Sequence, residues 1–292
     1  MIKNTLCCLA FAALSVSPIG PASQLSAQAD ALDFPAASPQ ALVREQVGLT
    51  TVEIEYARPS CKGRKIFGGL IPYGEVWRTG ANEATRIMFS TDISFGGEAV
   101  SAGTYALFTI PGKTEWTVIL NQVTGQWGSY GYNPAQDVVR VTVDAEKLEQ
   151  RVETMRLGLA HMRDDSAQLE LAWENTRVLL PIKTDLVAML VPKIEAAMAA
   201  PGDRKPYLAS AMFYYHHEID LDKSLQWIDA ELAQQPQAVW IQYRKGLILA
   251  KLGDKLASME AAQRALELAD AAGGELGAEY RRLSEALLDS LN

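Results

Sequence analysis

LTTVEIEYA, residues 49–57, is the run from which the fold of this chain is read. Val52, Ile54 and Tyr56 alternate with Thr51, Glu53 and Glu55. That period of two places the apolar side chains on one face of a half-buried strand. Toward the C-terminus, similar short runs follow: Thr85–Ser90, Thr104–Ile110, Trp116–Asn121, Val138–Val143, Glu153–Ala160, Gln168–Trp173 and Arg177–Ile182. Turn-forming residues separate many of them, at Phe95-Gly96-Gly97, Ser101-Ala102-Gly103, Pro111-Gly112, Gly125 and Asp164-Asp165-Ser166. Strands punctuated in this way predict a mainly β domain over residues 49–183, an antiparallel sandwich or jelly-roll-like body.

Toward the N-terminus, residues 30–48 are rich in Ala, Pro and Ser and read as a linker. Residues 1–29 have the layout of a secretory signal peptide: Lys3, an apolar core from Leu6 to Val16, and Ala27-Gln28-Ala29 as the small residues of a cleavage site. The apolar run is too short to cross a bilayer. Cys7 and Cys8 precede the apolar core, where a lipid-anchor cysteine would follow it. A periplasmic or secreted location is expected. Cleavage after Ala29 leaves Cys61 as the sole cysteine, so the fold is held without an internal disulfide.

Strand-type alternation stops near Lys183. Leu186, Met189, Leu190, Ile194 and Met198 then recur at helical spacing, giving a connecting helix within 184–202 that Pro201-Gly202-Asp203 ends. Residues 203–292 carry an internal repeat: Ala211, Tyr215, Ser224, Ile228 and Pro236 stand 34 positions before Lys245, Leu249, Ser258, Ala262 and Asp270. Thirty-four is the tetratricopeptide period. Gly246 and Ala265 fall where such a repeat needs small residues, but Met212 and Glu231 stand there in the first unit. Two units are short for an array of this kind, so the helices are expected to lean on the β domain through Leu186 to Met198. A plain helical bundle is the other reading. Repeats of this type offer a surface for a protein partner.

The net charge of −8 argues against general binding to nucleic acid or anionic lipid, both of which need a positive face. Against that background one stretch is locally basic: RPSCKGRKIFGGLIPYGEVWRTGANEATR, residues 58–86. Its glycines and prolines exclude a regular element through it, and long ordered loops often carry function. Arg58, Lys62, Arg64 and Arg78 could converge on an anion, with Ser60 among them, since guanidinium forks suit carboxylate or phosphate. The alternative is that these side chains tie the loop down through backbone carbonyls that lack ladder partners.

Trp77-Arg78-Thr79-Gly80-Ala81-Asn82-Glu83 is the densest polar run. Thr79, Asn82 and Glu83 offer a hydroxyl, an amide and a carboxylate, with Trp77 and Tyr73 as apolar walls, a mix that suits a sugar or small polar metabolite. A turn or helix start is the competing account. A second candidate surface is Trp116, Trp127, Tyr130 and Tyr132 among Gly125, Gly128 and Gly131, either a stacking platform or a lid over one end of the sandwich.

Metal and cofactor chemistry finds little footing. His161, His216 and His217 lie outside the basic stretch, and neighbouring histidines on a helix diverge. An oxygen-ligand site from Glu75, Glu83, Asp92 and Asp137 is conceivable, but no metal site and no cofactor is expected. Cys61 lies among cations that would favour its thiolate, with no histidine base nearby in the sequence.

The strings RPSCKGR, IFGGLIPYGEVWRTGANEAT, AGTYALFTIP, WTVILN and DVVR together resemble a bacterial family known as domain of unknown function 2911, over about Ala36 to Lys183. The resemblance implies an exported protein whose β domain is often followed by tetratricopeptide-type helices. It implies no activity. In the pattern Arg-Pro-Ser-x-Lys-Gly-Arg, Cys61 takes the variable place, which speaks against a catalytic thiol.

These readings converge on an exported binding protein. The β domain takes a small anionic or polar ligand, or a glycan, at Arg58, Ser60, Lys62, Arg64, Arg78, Thr79, Asn82 and Glu83, and the helices meet a protein. Two alternatives stand beside it: a hydrolase of cell-wall or polysaccharide material using Glu83 and Asp137 as a carboxylate pair, and a scaffold without ligand.

Overall fold

Strand Thr50–Ala57 (β2) has the inward face read from its sequence, with Val52, Ile54 and Tyr56 all buried. It is the second strand of a nine-stranded antiparallel sheet in a computed structural model that describes residues 34–202 and 204–291. The expected signal peptide, residues 1–29, and the first residues of the expected linker lie outside the described residues.

The other strands are Gln40–Val47 (β1), Thr85–Phe89 (β3), Ile93–Phe95 (β4), Glu98–Val100 (β5), Gly103–Pro111 (β6), Glu115–Asn121 (β7), Asp137–Ala160 (β8) and Ser166–Thr184 (β9). Their order across the sheet is β1-β2-β3-β6-β7-β8-β9-β4-β5.

Three features depart from the sequence reading. First, Gln40–Val47, expected to be linker, is a full strand paired with β2 from Gln40↔Ala57 to Val47↔Thr50. Ala41, Val43 and Val47 face the core, a weak alternation in which alanine and Glu45 dilute the apolar signal. Second, the turn expected at Phe95-Gly96-Gly97 is present, but it joins two short strands, β4 and β5, that the sequence did not announce. Third, four separate runs merge into two long strands. Val138–Val143 and Glu153–Ala160 both belong to β8, and Gln168–Trp173 and Arg177–Ile182 both belong to β9.

The β8–β9 ribbon folds over in its middle. Between the pairs Lys147↔Thr176 and Arg156↔Ala172, β8 advances nine residues while β9 advances four. Extra residues on one strand bend it, and β8 takes the outside of the corner. Glu174 sits on the inside with a positive φ of 56°. A straight strand of this length would span roughly 60 Å. Instead the ends of β9 meet: the Thr184 amide and hydroxyl donate to the carbonyl of Asp165, at 2.8 and 3.1 Å. The folded ribbon closes a core that includes Phe89, Phe95, Trp116, Met155, Leu157 and Trp173.

Strand β6 is buried on both faces. Leu107 enters the main core, while Ala106 and Phe108 join Ala84 and Ile119 in a smaller cluster, against which Val76 and Tyr132 pack. That outer cluster is the floor of the site described below.

Six helices follow: Leu186–Ala199 (α1), Tyr207–His216 (α2), Leu221–Gln234 (α3), Val239–Leu252 (α4), Lys255–Ala272 (α5) and Gly274–Leu291 (α6). The pairs α2–α3 and α4–α5 are built alike. Asp220 and Asp254 cap α3 and α5, accepting from the amides of Lys223 and Ala257 at 3.0 Å each. The buried hydroxyls of Ser224 and Ser258 donate to carbonyls of the preceding helix, Ala211 at 2.7 Å and Gly246 at 2.8 Å. The caps, the amides they accept from and the two serines are each separated by the repeat spacing read from the sequence, while the accepting carbonyls, Ala211 and Gly246, stand one residue further apart. Helix α1 contributes Ile194 to the helical core with Trp227 and Ile228, and Leu190, Val191 and Met198 pack there too. From Leu190 onward its apolar face thus serves the helices, while Leu186 at its start reaches the β1–β2 turn at Gly48, which leaves the expected contact with the β domain to that end. No helix among the described residues is long and apolar enough to cross a membrane.

Candidate functional site

The basic stretch leaves β2 at Ala57 and is fixed at both ends before it can act as a flap. Near its start, the Cys61 amide donates to Glu153 O at 2.8 Å, and the Met155 amide donates to Pro59 O at 2.9 Å. Further on, Phe67 and Trp77 dive into the core. Trp77 stacks on Trp173 with centroids 5.8 Å apart, and Phe67 meets Trp116 edge-on at 4.7 Å. Aromatic packing of this kind adds to the area it buries. Trp77, expected to wall a pocket, and Trp116, expected on a surface platform, are therefore core residues, with 5% and 1% exposure.

This anchoring divides the eight expected site residues into two groups. The first rests on β8. Arg58 Nε donates to Met155 O at 3.1 Å, and the hydroxyls of Ser60 and Thr154 meet at 2.9 Å. Arg64 spends Nε on Cys61 O at 3.0 Å and Nη2 on Ser60 O at 2.8 Å. Lys62 is exposed, and its backbone amide donates to Glu153 Oε1 at 2.7 Å. Arg58 and Arg64 thus satisfy carbonyls of an irregular segment. The carbonyl-tying reading describes them well.

The second group lies where residues 78–84 meet the loop after β7. Trp77 exchanges both backbone hydrogen bonds with Thr109, at 2.8 and 2.9 Å, and points inward. Its neighbour Arg78 therefore faces the outer side. There the amide of Gly128 donates to Asn82 O, and that of Ala84 donates to Gln126 O, each at 2.9 Å. Asn82 adopts a left-handed φ of 61°, which Asn tolerates better than most residues. Gly128 (φ 66°) runs so close over this corner that an added Cβ would lie 2.8 Å from the Tyr130 ring and 3.5 Å from Arg78 Nη1. The left-handed conformation favours glycine there, and any larger residue would push the exposed Tyr130 ring aside.

Two polar atoms in this corner lack a partner. Arg78 Nε, a donor, and Gln126 Oε1, an acceptor, are both buried without a hydrogen bond. The Gln126 Nε2 group is used, donating to Val123 O at 2.8 Å. A Cβ on Gly131 would lie 3.3 Å from that same Oε1. In the same loop Trp127 and Tyr130 stand in solvent, 63% and 88% exposed. Glu83, bridged to Trp127 through the backbone, is exposed as well. Among the described residues, none of Arg58, Lys62, Arg64, Lys65 or Arg78 lies in an ion pair.

Other expected site residues take structural places. Thr79 is fully buried; its hydroxyl donates to Thr109 Oγ1 at 3.1 Å, and its carbonyl accepts from Thr85 Oγ1 at 2.7 Å. A β-branched residue at φ 54° is strained, and here it serves the turn between Trp77 and β3. Thr79 is thus removed from any solvent-facing site. Asp137 has both oxygens occupied, accepting from Tyr132 Oη at 2.6 Å, Arg140 Nε at 2.8 Å and Asn121 Nδ2 at 2.8 Å. A carboxylate so held is poorly placed to shuttle protons beside Glu83. Tyr132 packs on Phe108 at 5.1 Å, so the expected platform reduces to Trp127 and Tyr130. Asp92 accepts from the Ala102 amide at 2.8 Å and braces the turn before β6.

Cys61 reverses the expectation of an acidified thiol. It is fully buried, its sulfur donates toward Val152 O at 3.6 Å, and burial pushes the thiol up against the opposing influence of Arg151. Gln126 was not singled out from the sequence, where a glutamine between Gly125 and Trp127 carries no distinguishing signal.

Comparison with curated proteins found no match, and comparison with solved structures found none. Residues 38–182 match the model of the family described as "Protein of unknown function (DUF2911)", which places the β domain of this chain in that family.

Proposed function

We propose that the β domain binds a small polar ligand, best described as a sugar unit of a glycan, in the corner between residues 78–83 and 126–130. The observation that carries this reading is two buried polar atoms without a partner, Arg78 Nε and Gln126 Oε1, in a corner whose loop also exposes Trp127 and Tyr130. Leaving a buried donor or acceptor unpaired costs about 1–3 kcal/mol, so natural proteins retain such atoms where something else completes them. A ligand that offers an acceptor to Arg78 and a hydroxyl to Gln126 removes that cost. Trp127 and Tyr130 would cover the C–H face of a sugar ring, and Asn82 and Glu83 are at hand for further hydroxyls. An anionic sugar gains a charge-assisted bond to Arg78.

Arg58, Ser60, Lys62 and Arg64 take a lesser part in this reading, as a basic flank whose forks are partly spent on the protein itself. The helical region, with its repeated caps and serine bonds, supports a tetratricopeptide-like pair of units available to a protein partner. The expected export signal puts this binding outside the cytoplasm.

Calorimetric titration with neutral cello- and chito-oligosaccharides and with acidic oligogalacturonate tests the site. Saturable heat from one of them, lost in Arg78→Met and Trp127→Ala, supports it. Absence of heat across the series, or heat unchanged in both variants, sinks it.

A further inference from the structure

The folding of the β8–β9 ribbon brings together side chains far apart in sequence. A hollow of about 320 Å³ opens where the two ends of β9 meet, lined by His161, Arg163, Ser166, Gln168, Pro181 and Lys183, with Ala167 below. His161 and Arg163 come from the turn after β8, Ser166 and Gln168 from the start of β9, and Pro181 and Lys183 from its end. The walls are fixed. The Arg163 amide donates to Ser166 O at 2.8 Å, closing the turn, while Thr184 holds Asp165 O from the other side. The Gly96 amide secures Pro181 O at 2.8 Å. His161 enters the turn with φ at 51°, a backbone conformation that few residues other than glycine adopt.

Three basic side chains thus share one concavity and no carboxylate lines it, in a chain whose net charge is −8. Among the described residues, the side chains of His161, Arg163 and Lys183 make no hydrogen bond or ion pair with the protein, and all three are exposed. The two acids of the same turn, Asp164 and Asp165, do not line it. Asp165 accepts from the Ser166 hydroxyl at 3.0 Å, and Asp164 is exposed in the turn. On its far side Lys183 borders a second, shallower depression that includes Asp92 and Asp185, yet it pairs with neither. Arg163 and Lys183 bring like charges together without an ion-pair partner, an anion seated between them relieves that repulsion, and His161 adds a ring donor. Arg supplies a planar fork and Lys a point charge, while Ser166 and Gln168 add neutral donors. A volume near the lower bound of ligand pockets matches a molecule of one or two small anionic groups.

We infer that this hollow is a binding site for a small oxyanion, a phosphate or carboxylate group on a compact molecule, held by His161, Arg163 and Lys183. It is separate from the sugar corner, shares none of its residues, and stands or falls without it.

The test uses the full chain with inorganic phosphate and, separately, citrate, followed by the ring resonances of His161 and by calorimetry. The His161 signal is identified through a His161→Asn variant. Saturable shifts at His161 with either probe are expected; phosphate alone assigns a phosphoryl ligand, and citrate alone a carboxylate. Arg163→Gln/Lys183→Gln should weaken binding at least tenfold with the melting temperature unchanged, because both side chains are exposed. Lys113→Gln/Lys147→Gln, exposed lysines elsewhere, should leave affinity within twofold. Shifts that grow linearly without saturating, or an equal loss in the control variant, would overturn the assignment in favour of a diffuse charge effect.

Discussion

Arg78→Met separates a binding corner from a packing device. The Arg78 side chain makes no hydrogen bond within the protein, and its Nε is buried without a partner. Replacing it with an apolar chain of similar reach removes an unmet donor, whose cost is about 1–3 kcal/mol when fully enclosed. Arg78 is only half-buried, so the lower end applies. Shortening the chain also withdraws Nη1 from beneath Gly128, where the space left behind takes back part of the gain. The net expectation is a ligand-free protein more stable by roughly 0.5–1 kcal/mol, a rise of about 1–4 °C in melting temperature for a domain of this size. Urea and thermal unfolding followed by near-ultraviolet circular dichroism read this directly, since Trp77, Trp116 and Trp173 report on the β core. Arg78→Lys keeps the charge without the fork and should gain nothing. A loss of more than about 1 kcal/mol in Arg78→Met would refute the reasoning, because it would mean that Nε is already satisfied and the arginine holds the loop together.

Two further outcomes are expected. Cys61 should react with a thiol reagent in the folded protein at a rate far below that of the urea-unfolded chain, because burial both shields the sulfur and raises its pKa; equal rates would contradict the buried placement. In the helices, the Glu195 carboxyl is held below its usual range by Lys223 at 2.8 Å and by the Tyr214 hydroxyl at 2.5 Å. Its stabilisation is therefore complete above the ordinary carboxylate pKa of about 4.3 and is lost as pH falls through the lower folded value. Glu195→Gln should flatten that acid limb in a pH series of unfolding midpoints, and an unchanged limb would show that the pairing contributes nothing.

The β architecture was legible because β2 buries one regular face, while β6 and β7 are short apolar runs bounded by turn residues. What they could not carry was the path of the ribbon. Its corner is set by a register change opposite Glu174, a residue with no turn signature, so each long strand reads as two short ones. The N-terminal strand was obscured for another reason. Ala41 and Glu45 hold inward-facing places where larger apolar side chains would have announced a strand. The loop's cations were visible as composition, but their fate depends on Phe67 and Trp77, which bury themselves midway and send the two halves to different partners. Aromatic residues in a glycine-rich loop look the same whether they line a pocket or fill a core. Arg78 and Asn82 were legible as candidates, and Gln126 was not, since its meaning comes entirely from the backbone that passes over it.

Among the described residues, the strand order leaves two free borders in the nine-stranded sheet, β1 and β5. One is three residues long and begins with Glu98; the other carries Arg44 and Glu45 at its middle and follows Pro39. Short, charged or proline-flanked rims are poor templates for a stray extended chain. A protein built largely of β structure can thereby stay unaggregated in a crowded compartment, even though its sheet is wide and its interior is rich in tryptophan.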